Sequence, residues 1–512
     1  MNPFCRLLLL AAMLLAGGCA SLSNAERDRA AAVAAQARST VIDCSRSDRC
    51  AERSPVQVLG EQALAQSRPG QPAHYATILD EGEVALVARL NLIRGARQSI
   101  DLQTYIFDKD DSARLVLDEL LQAARRGVQV RVLIDQLSAI TDLEILGALS
   151  GSHQNFQLRV YNPTFGKARL NYLDYAGSVL CCFRRFNQRM HNKLLVVDDS
   201  LGIVGGRNYQ DDYFDWDAEY NFRDRDVLIA GPEVQAMAAN FDAFWEARRS
   251  VPAERLNDVG RTLLRDGVPA MPPAQYRRPG RIERVSDEAD DADYVQRVLV
   301  DAALPVRSVQ YVADLPRKHR RERGDQPLAG QHVTEPQLDG LISEAQTEVL
   351  LQTPYLVLSR PARRLFETLR KREEPPRIVV STNSLAATDN PIVYALSYKY
   401  KRRNMRELGF NVYEYKPFPL DAPVDYRNLM PAPLGTPEQE SGRGMLGGSA
   451  AGSNAGGNAG GASGGNAGTR PPGSGARSRT ADGSEVERQV LRTETRPSFL
   501  GTRAVNKPLP VT

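Results

Sequence analysis

The sequence predicts an α/β fold made of two duplicated α/β sandwich units packed against each other, with a disordered Gly/Ala/Ser/Asn-rich tract toward the C-terminus. Three observations carry this reading. Apolar stretches of helical period alternate with short β-branched runs from residue 81 to residue 135, the pattern of helices packed on a largely parallel sheet. The same order returns about 250 residues later, as an internal repeat would. Residues 441–468, "SGRGMLGGSAAGSNAGGNAGGASGGNAG", have no apolar periodicity and cannot pack a core. The 512 residues, 42% apolar and 25% charged, suffice for two or three domains. A net charge of only +3 argues against a chain that holds nucleic acid by bulk charge.

The elements follow in order. "EGEVALVARLNLIRGARQ" reads as a helix and "SIDLQTYIF" as a strand. "SARLVLDELLQAARRG" places Leu117, Leu120, Leu121 and Ala124 on one helical face, between Ser112 and Gly127 as stops. "VQVRVLID" is the next strand. In the repeat, "PQLDGLISEAQ" is a helix, "EVLLQTPYLVL" a strand, "PARRLFETLRKRE" a helix and "RIVVST" a strand. Details echo as well: Leu102-Gln103-Thr104 returns as Leu351-Gln352-Thr353, and "LSAITD", ending at Asp142, as "LAATD", ending at Asp389.

The N-terminus reads differently. Arg6 precedes an apolar run from Leu7 to Ala16, which is too short to span a bilayer but suits a signal peptide. Ala16-Gly17-Gly18-Cys19 resembles the cleavage box of bacterial lipoproteins, which implies lipidation of Cys19 and a membrane tether by acyl chains. Export makes a disulfide between Cys44 and Cys50 permissible, with two free thiols as the alternative. Adjacent Cys181 and Cys182 are poorly placed to pair with each other and read as small core residues. The expected boundaries are 1–19 signal peptide, 20–69 tether with one helix, 70–255 first unit, 256–420 second unit and 421–512 low-complexity tail.

The chemistry concentrates in "MHNKLLVVDDSLGIVGGRNYQDDYF", residues 190–214. Strand alternation puts His191 and Lys193 on one face and Asn192 on the other. Leu194 to Val197 reads as a central strand, Asp198-Asp199-Ser200 as a turn and "LGIVGG" as the returning strand. Gly205 and Gly206 leave room for a ligand near the backbone, and Asn208 adds an amide donor. An ammonium, an amide and free N–H groups suit phosphate oxygens.

His191, Lys193 and Asp198, followed by Gly205, Gly206 and Asn208, stand at the spacing H-x-K-x4-D-x6-G-G-x-N, which resembles the signature of the phospholipase D superfamily. "SIDLQTYIFD", "NFRDRDVLIAGP", "QTPYLVL" and "STNSLAATDNPIVYA" resemble its cardiolipin-synthase-like branch, so the likeness spans about residues 75 to 420. The resemblance implies phosphodiester chemistry with no metal and no cofactor. His191 would attack phosphorus and form a phosphohistidine, and a second histidine from the other half would protonate the leaving alcohol. Lys193 and Asn208 would hold the non-bridging oxygens. Glu219 would fix the tautomer of His191, with Asp224 and Asp226 as alternatives, and Asp198 would anchor the turn more than carry protons.

The sequence departs from the family in one respect. Its five histidines are His74, His153, His191, His319 and His332, and only His191 begins H-x-K. "VNKPLPVT" sets Val505 opposite His191 and Lys507 opposite Lys193, but valine can neither attack nor protonate. Three explanations stand: a lost second motif, a homodimer in which two chains each give one histidine, or another residue as acid. The repeated second unit weighs against the homodimer, because it occupies the place where a partner would dock. The expected function is a phosphodiesterase or phosphatidyltransferase acting on phospholipids, impaired by loss of the second motif. It would be lipid-anchored at the cell envelope, in a periplasm-facing membrane, with the outer membrane as the expected one. Alternatives are an endonuclease-like phosphodiesterase on nucleic acid, which the near-neutral charge disfavours, and a non-catalytic phospholipid-binding protein. "RKHRRERG" reads chiefly as a solvated basic loop, whereas Arg184, Arg185 and Arg189 arrive beside the nucleophile and would concentrate anions there.

Overall fold

The computed structural model describes residues 21–138, 140, 142–217, 220–316 and 332–415. Cys19, Glu219, the basic run at 317–324 and the tail from 421 onward, with its Gly-rich tract and Val505, lie outside the described residues.

The stretch expected as a tether folds onto the first unit as two helices. In α1 (Asn24–Ala37), Ser23 and Glu26 form a reciprocal capping box, and Ala30 and Ala34 are fully buried. In α2 (Pro55–Gln66), Ser54 caps the start and Val56, Leu59 and Ala63 enter the core. An alanine stripe buries little area per residue, so its apolar period is faint in sequence although its packing is close.

The first unit is one nine-stranded sheet. Its strands are β1 (His74–Leu79), β2 (Ser99–Ile106), β3 (Gln129–Ser138), β4 (Phe156–Tyr161), β5 (Leu194–Val197), β6 (Leu201–Gly205), β7 (Asp226–Ala230), β8 (Ser250–Pro252) and β9 (Leu304–Val306), in the order β8-β4-β3-β2-β5-β6-β7-β1-β9. Only β2, β3 and β4 run parallel to one another, and every other pair is antiparallel. The expectation of a largely parallel sheet therefore fails here: helical crossovers join only β2 to β4, and the motif region returns as tight antiparallel turns.

Helices cover both faces. On one lie α3 (Gly82–Gly95) and α4 (Asp111–Arg126), with Leu90, Ile93, Leu120 and Ala124 in the main core. Asp110, not Ser112, caps α4, and Gly127 ends it in the left-handed region that glycine tolerates. The short α5 (Leu143–Ser150) is capped by Asp142. The helix α6 (Tyr172–Phe186) follows β4, and α7 (Val234–Trp245) packs Phe241 and Phe244 against the other face. Next come α8 (Asn257–Asp266) and α9 (Pro279–Asp290), whose Leu263, Ile282 and Val285 join the main core. With β9 on the sheet edge, the first unit continues past residue 255 to about residue 313.

A two-residue parallel pair, β10 (Val312–Ala313) with β11 (His332–Val333), precedes α10 (Thr334–Glu344) and the second unit. There β12 (Glu348–Gln352), β13 (Arg377–Asn383) and β14 (Phe410–Tyr415) form a parallel three-stranded sheet. The connecting helices are α11 (Arg360–Arg370) and α12 (Pro391–Glu407), and Val349, Phe366, Ile378, Val380 and Phe410 form a separate core. Strand, helix, strand, helix, strand thus occurs twice, as β2 to β4 and as β12 to β14. Thr104 Oγ1 donates to Ile106 O at 2.9 Å, and Thr353 Oγ1 repeats the bond to Tyr355 O at 3.3 Å. The Asp142–Asp389 echo is less faithful, because Asn390 caps α12 while Asp389 accepts from the Tyr355 hydroxyl. The β2 edge receives β5, but among the described residues the matching edge of β12 receives no strand.

Candidate active site

Of the motif residues, His191 and Lys193 lie at the carboxyl end of β2, where α/β folds place ligands. Strand β5 runs antiparallel to β2 with Leu194 opposite Gln103, so the three residues before β5 lie along the end of β2. The His191 ring sits 4.9 Å from the Tyr105 ring, centroid to centroid. Lys193 Nζ lies 3.1 and 3.2 Å from the two His191 ring nitrogens and 5.6 Å from the centre of Tyr105. Asn192 turns the other way, to Asn240 on α7, at 3.3 Å. His191 is exposed, whereas Lys193 is only 7% exposed.

The segment carrying His191 is tied down from behind. Asp135 on β3, fully buried, accepts from Met190 N at 3.0 Å and from Arg189 Nη1 at 3.1 Å. Burial pushes its carboxyl above the usual range, although Arg189 opposes the shift. Arg189 also donates to Asn162 O, so it braces the loop and is not an open anion-attracting charge. Arg184 and Arg185 are exposed.

Burial lowers the Lys193 pKa to about 7, against the pull of Asp224, Asp226 and Asp135. The consequence for folding has a definite sign. Between about pH 7 and the ordinary lysine range, the unfolded chain holds a proton that the folded chain has lost, so this group's contribution to stability rises with pH.

Asn208, 2% exposed, accepts through Oδ1 from Ile106 N at 3.0 Å, and its side chain also hydrogen-bonds to Tyr213. The buried Tyr213 beside it also feels the Asp389 carboxylate of the second unit. Asp198 is not brought to this cluster. It sits beyond the opposite end of β5, where its carboxylate accepts from Arg97 N, Gln98 N and Ser99 N at 2.7–2.9 Å and its φ of 50° makes the turn.

The glycine pair differs from the expectation of a ligand approach. A Cβ on Gly205 would lie 1.9 Å from an Asp226 carboxylate oxygen, and one on Gly206 would lie 2.2 Å from an Asp224 oxygen. These positions make room for two carboxylates. Asp226 pairs with Arg89 at 2.8 Å and Arg207 at 3.4 Å, all three being nearly inaccessible, so it is committed to an internal ion network. Asp224 is held above the usual carboxylate range by burial and lies close enough to feel Lys193 and Arg207.

Several of these residues escaped the sequence reading. Tyr105 lay inside a strand pattern. Arg89, in the middle of the largely apolar run 85–93, was the available signal for a buried ion pair, and Asp226, read as an alternative partner of His191, is its carboxylate. Contact with the second unit is made by Tyr220, whose hydroxyl donates to Ala387 O at 3.1 Å.

Two disulfides are present. Cys44 and Cys50 are joined with a Cα separation of 5.9 Å. Cys181 and Cys182 are joined to each other, contrary to the expectation of unpaired core residues, and Cys181 is exposed. The bond is accommodated because Cys182 leaves helical geometry, at φ −142° and ψ 27°, within α6. Alkylation without reductant is expected to leave Cys181 and Cys182 unlabelled, and labelling of both before reduction would refute the pairing.

Residues 90–245 match the family described as "Cardiolipin synthase, PLD-like domain". The chain is 31% identical over 357 residues to Cardiolipin synthase C of Escherichia coli K12, covering 69% of this chain and 71% of that protein. It is likewise 31% identical over 363 residues to an uncharacterized protein of Helicobacter pylori J99, covering 69% and 68%. The phosphatidylserine synthase structure from Haemophilus influenzae shares 15% identity over 69% of this chain and 75% of its own, with a TM-score of 0.40. An α/β sandwich with H-x-K at the sheet's carboxyl edge places the chain in a class built around phosphodiester chemistry. The chain belongs to the phospholipase D superfamily, in its cardiolipin-synthase-like branch.

Proposed function

We propose that this protein is a phospholipid phosphodiesterase or phosphatidyltransferase that works through a phosphohistidine on His191. The supporting observation is the placement of an exposed imidazole within 3.2 Å of a buried amine, both against Tyr105, with the Asn208 amide on the neighbouring strand end. A ring nitrogen of His191 forms the P–N bond as the bond from phosphorus to the leaving oxygen breaks, and that oxygen takes its proton from solvent water. Water or a second alcohol then attacks phosphorus and gives its proton to solvent as the P–N bond breaks and His191 leaves as a neutral ring. Lys193 and Asn208 stabilise the charge on the non-bridging oxygens. Glu219 remains our assignment for the carboxylate that orients His191. Cys19, carrying acyl chains, would hold the site near its substrate at the envelope. No helix among the described residues is long and apolar enough to cross a membrane.

A second reading rests on the single H-x-K in the sequence: a phospholipid-binding protein without turnover. Incubation with phosphatidylglycerol and with plasmid DNA, followed by acid-labile phosphoprotein trapping, tests both. Product from the lipid supports the proposal, and product from DNA alone moves the substrate to nucleic acid. Retained lipid binding with neither product nor phosphoprotein supports the second reading.

Lys193 sets the pH dependence. Its proton leaves the ligand-free protein near pH 7, and a phosphate oxygen needs the ammonium. kcat/KM is therefore expected to fall as pH rises above about 7. Lys193→Arg should flatten that limb in whatever activity it retains, and an unchanged limb would remove Lys193 from this role.

A further inference from the structure

The helix α6, which runs into the His191 segment, has its surface inside out for a protein in water. Its buried residues are Ser178 and Phe186, while Tyr172 is 92%, Leu173 84%, Leu180 87% and Phe183 56% exposed. Tyr172, Ala176 and Leu180 recur at helical spacing and form an outward stripe, and Phe183, past the break at Cys182, is exposed beside it. The polar side is the one turned inward: Asp174 pairs with Lys167 at 2.7 Å and Ser178 Oγ donates to Asp174 O at 2.7 Å.

Charge accompanies the stripe. Between residues 163 and 190 the basic side chains are Lys167, Arg169, Arg184, Arg185 and Arg189, and Asp174 is the single carboxylate. Arg169, Arg184 and Arg185 are exposed. The stripe is also rigidly continuous with the site. Asn162 Nδ2 donates to Arg185 O and to Gln188 O, each at 2.9 Å, and Asp135 holds Met190, one residue before His191.

We propose that α6 is a membrane-docking surface: its apolar stripe enters the headgroup region of an anionic phospholipid bilayer while Arg169, Arg184 and Arg185 meet lipid phosphates. An amphipathic face rimmed by basic residues binds such a surface by apolar burial and electrostatic attraction together. This rests on the reading of His191 as a phospholipid site, because docking α6 would bring that site to the headgroup plane.

The test uses the full chain with Cys19→Ser, so that no acyl chain contributes, and phosphatidylglycerol or phosphatidylcholine vesicles in a sedimentation assay. The chain should bind phosphatidylglycerol vesicles in preference to phosphatidylcholine. Leu180→Glu combined with Phe183→Glu should weaken binding at least about tenfold, with an unchanged melting temperature. Arg184→Glu combined with Arg185→Glu should erase the preference for the anionic lipid. Binding by the apolar double variant equal to the parent's overturns the proposal. So does a parent that sediments as a dimer, ignores vesicles and becomes monomeric in that variant, since the stripe would then serve a second copy. Turnover of dispersed short-chain phosphatidylglycerol, below its critical micelle concentration, separates the two readings. Equal turnover by parent and apolar double variant, with binding lost, supports docking. Vesicle binding lost in the variant while neither turns over the lipid leaves docking standing and sinks the phospholipid chemistry.

Discussion

His191→Ala is expected to lower phospholipid turnover by at least about ten thousand-fold and to abolish any phosphoprotein. The effect should be that large because no neighbouring group can replace the imidazole. Lys193 Nζ lies 3.1 Å from the ring, but an amine protonated by an arriving phosphate cannot attack. Folding should survive, since the ring is exposed and its segment is held through Met190 and Arg189 on Asp135. Quenched reactions with phosphorus-labelled lipid and a thermal melt measure both. Full turnover in the variant, or a collapsed melt, would defeat the assignment of His191 as nucleophile.

Asp226→Ala is expected to produce the largest loss of stability, about 3–5 kcal/mol. It would leave Arg89 and Arg207 as two buried guanidinium groups without their shared carboxylate. Their remaining acceptors are neutral: Ala85 O and the Tyr209 hydroxyl for Arg89, and Tyr213 O, Leu79 O and Asp80 O for Arg207. These neutral oxygens cannot balance two charges in a site closed to water. A drop in melting temperature of roughly 6–10 °C should follow in a calorimetric scan. Asp226→Asn, which keeps an acceptor and the shape, should lose less. A melt within a degree of the parent would mean that water or a rearranged neighbour replaces the carboxylate. Gly205 belongs to the same network, because only a residue without Cβ leaves Asp226 its position.

Local pattern made much of this legible. The helices around Leu90 and Leu120 and the strands at Ile100 and Val130 bury one side each, so their periods survive in the sequence. The sequence reading of β5 succeeded because a strand between two neighbours is apolar on both faces, and Leu194 to Val197 are all buried. The helix α1 reads as part of a tether because alanine gives a weak apolar signal, and the largely parallel expectation fails because strand direction depends on connection, not composition. In the second unit, α12 and β14 went unread: α12 carries Tyr, Lys and Arg through most of its length, and only Ser397 and Asn404 are buried.

By itself the sequence determined the α/β class, the repeat, the family and the closeness of His191 to Lys193, because each of these is written in residues close along the chain or in a period of side chains. The tertiary structure alone decided which charges are partners. Asp226 meets an arginine 137 positions away, Asp198 reaches backward to Arg97, and the glycines give space to carboxylates from another strand. Such choices depend on what burial leaves unpaired, and burial is a property of the assembled fold rather than of any local stretch.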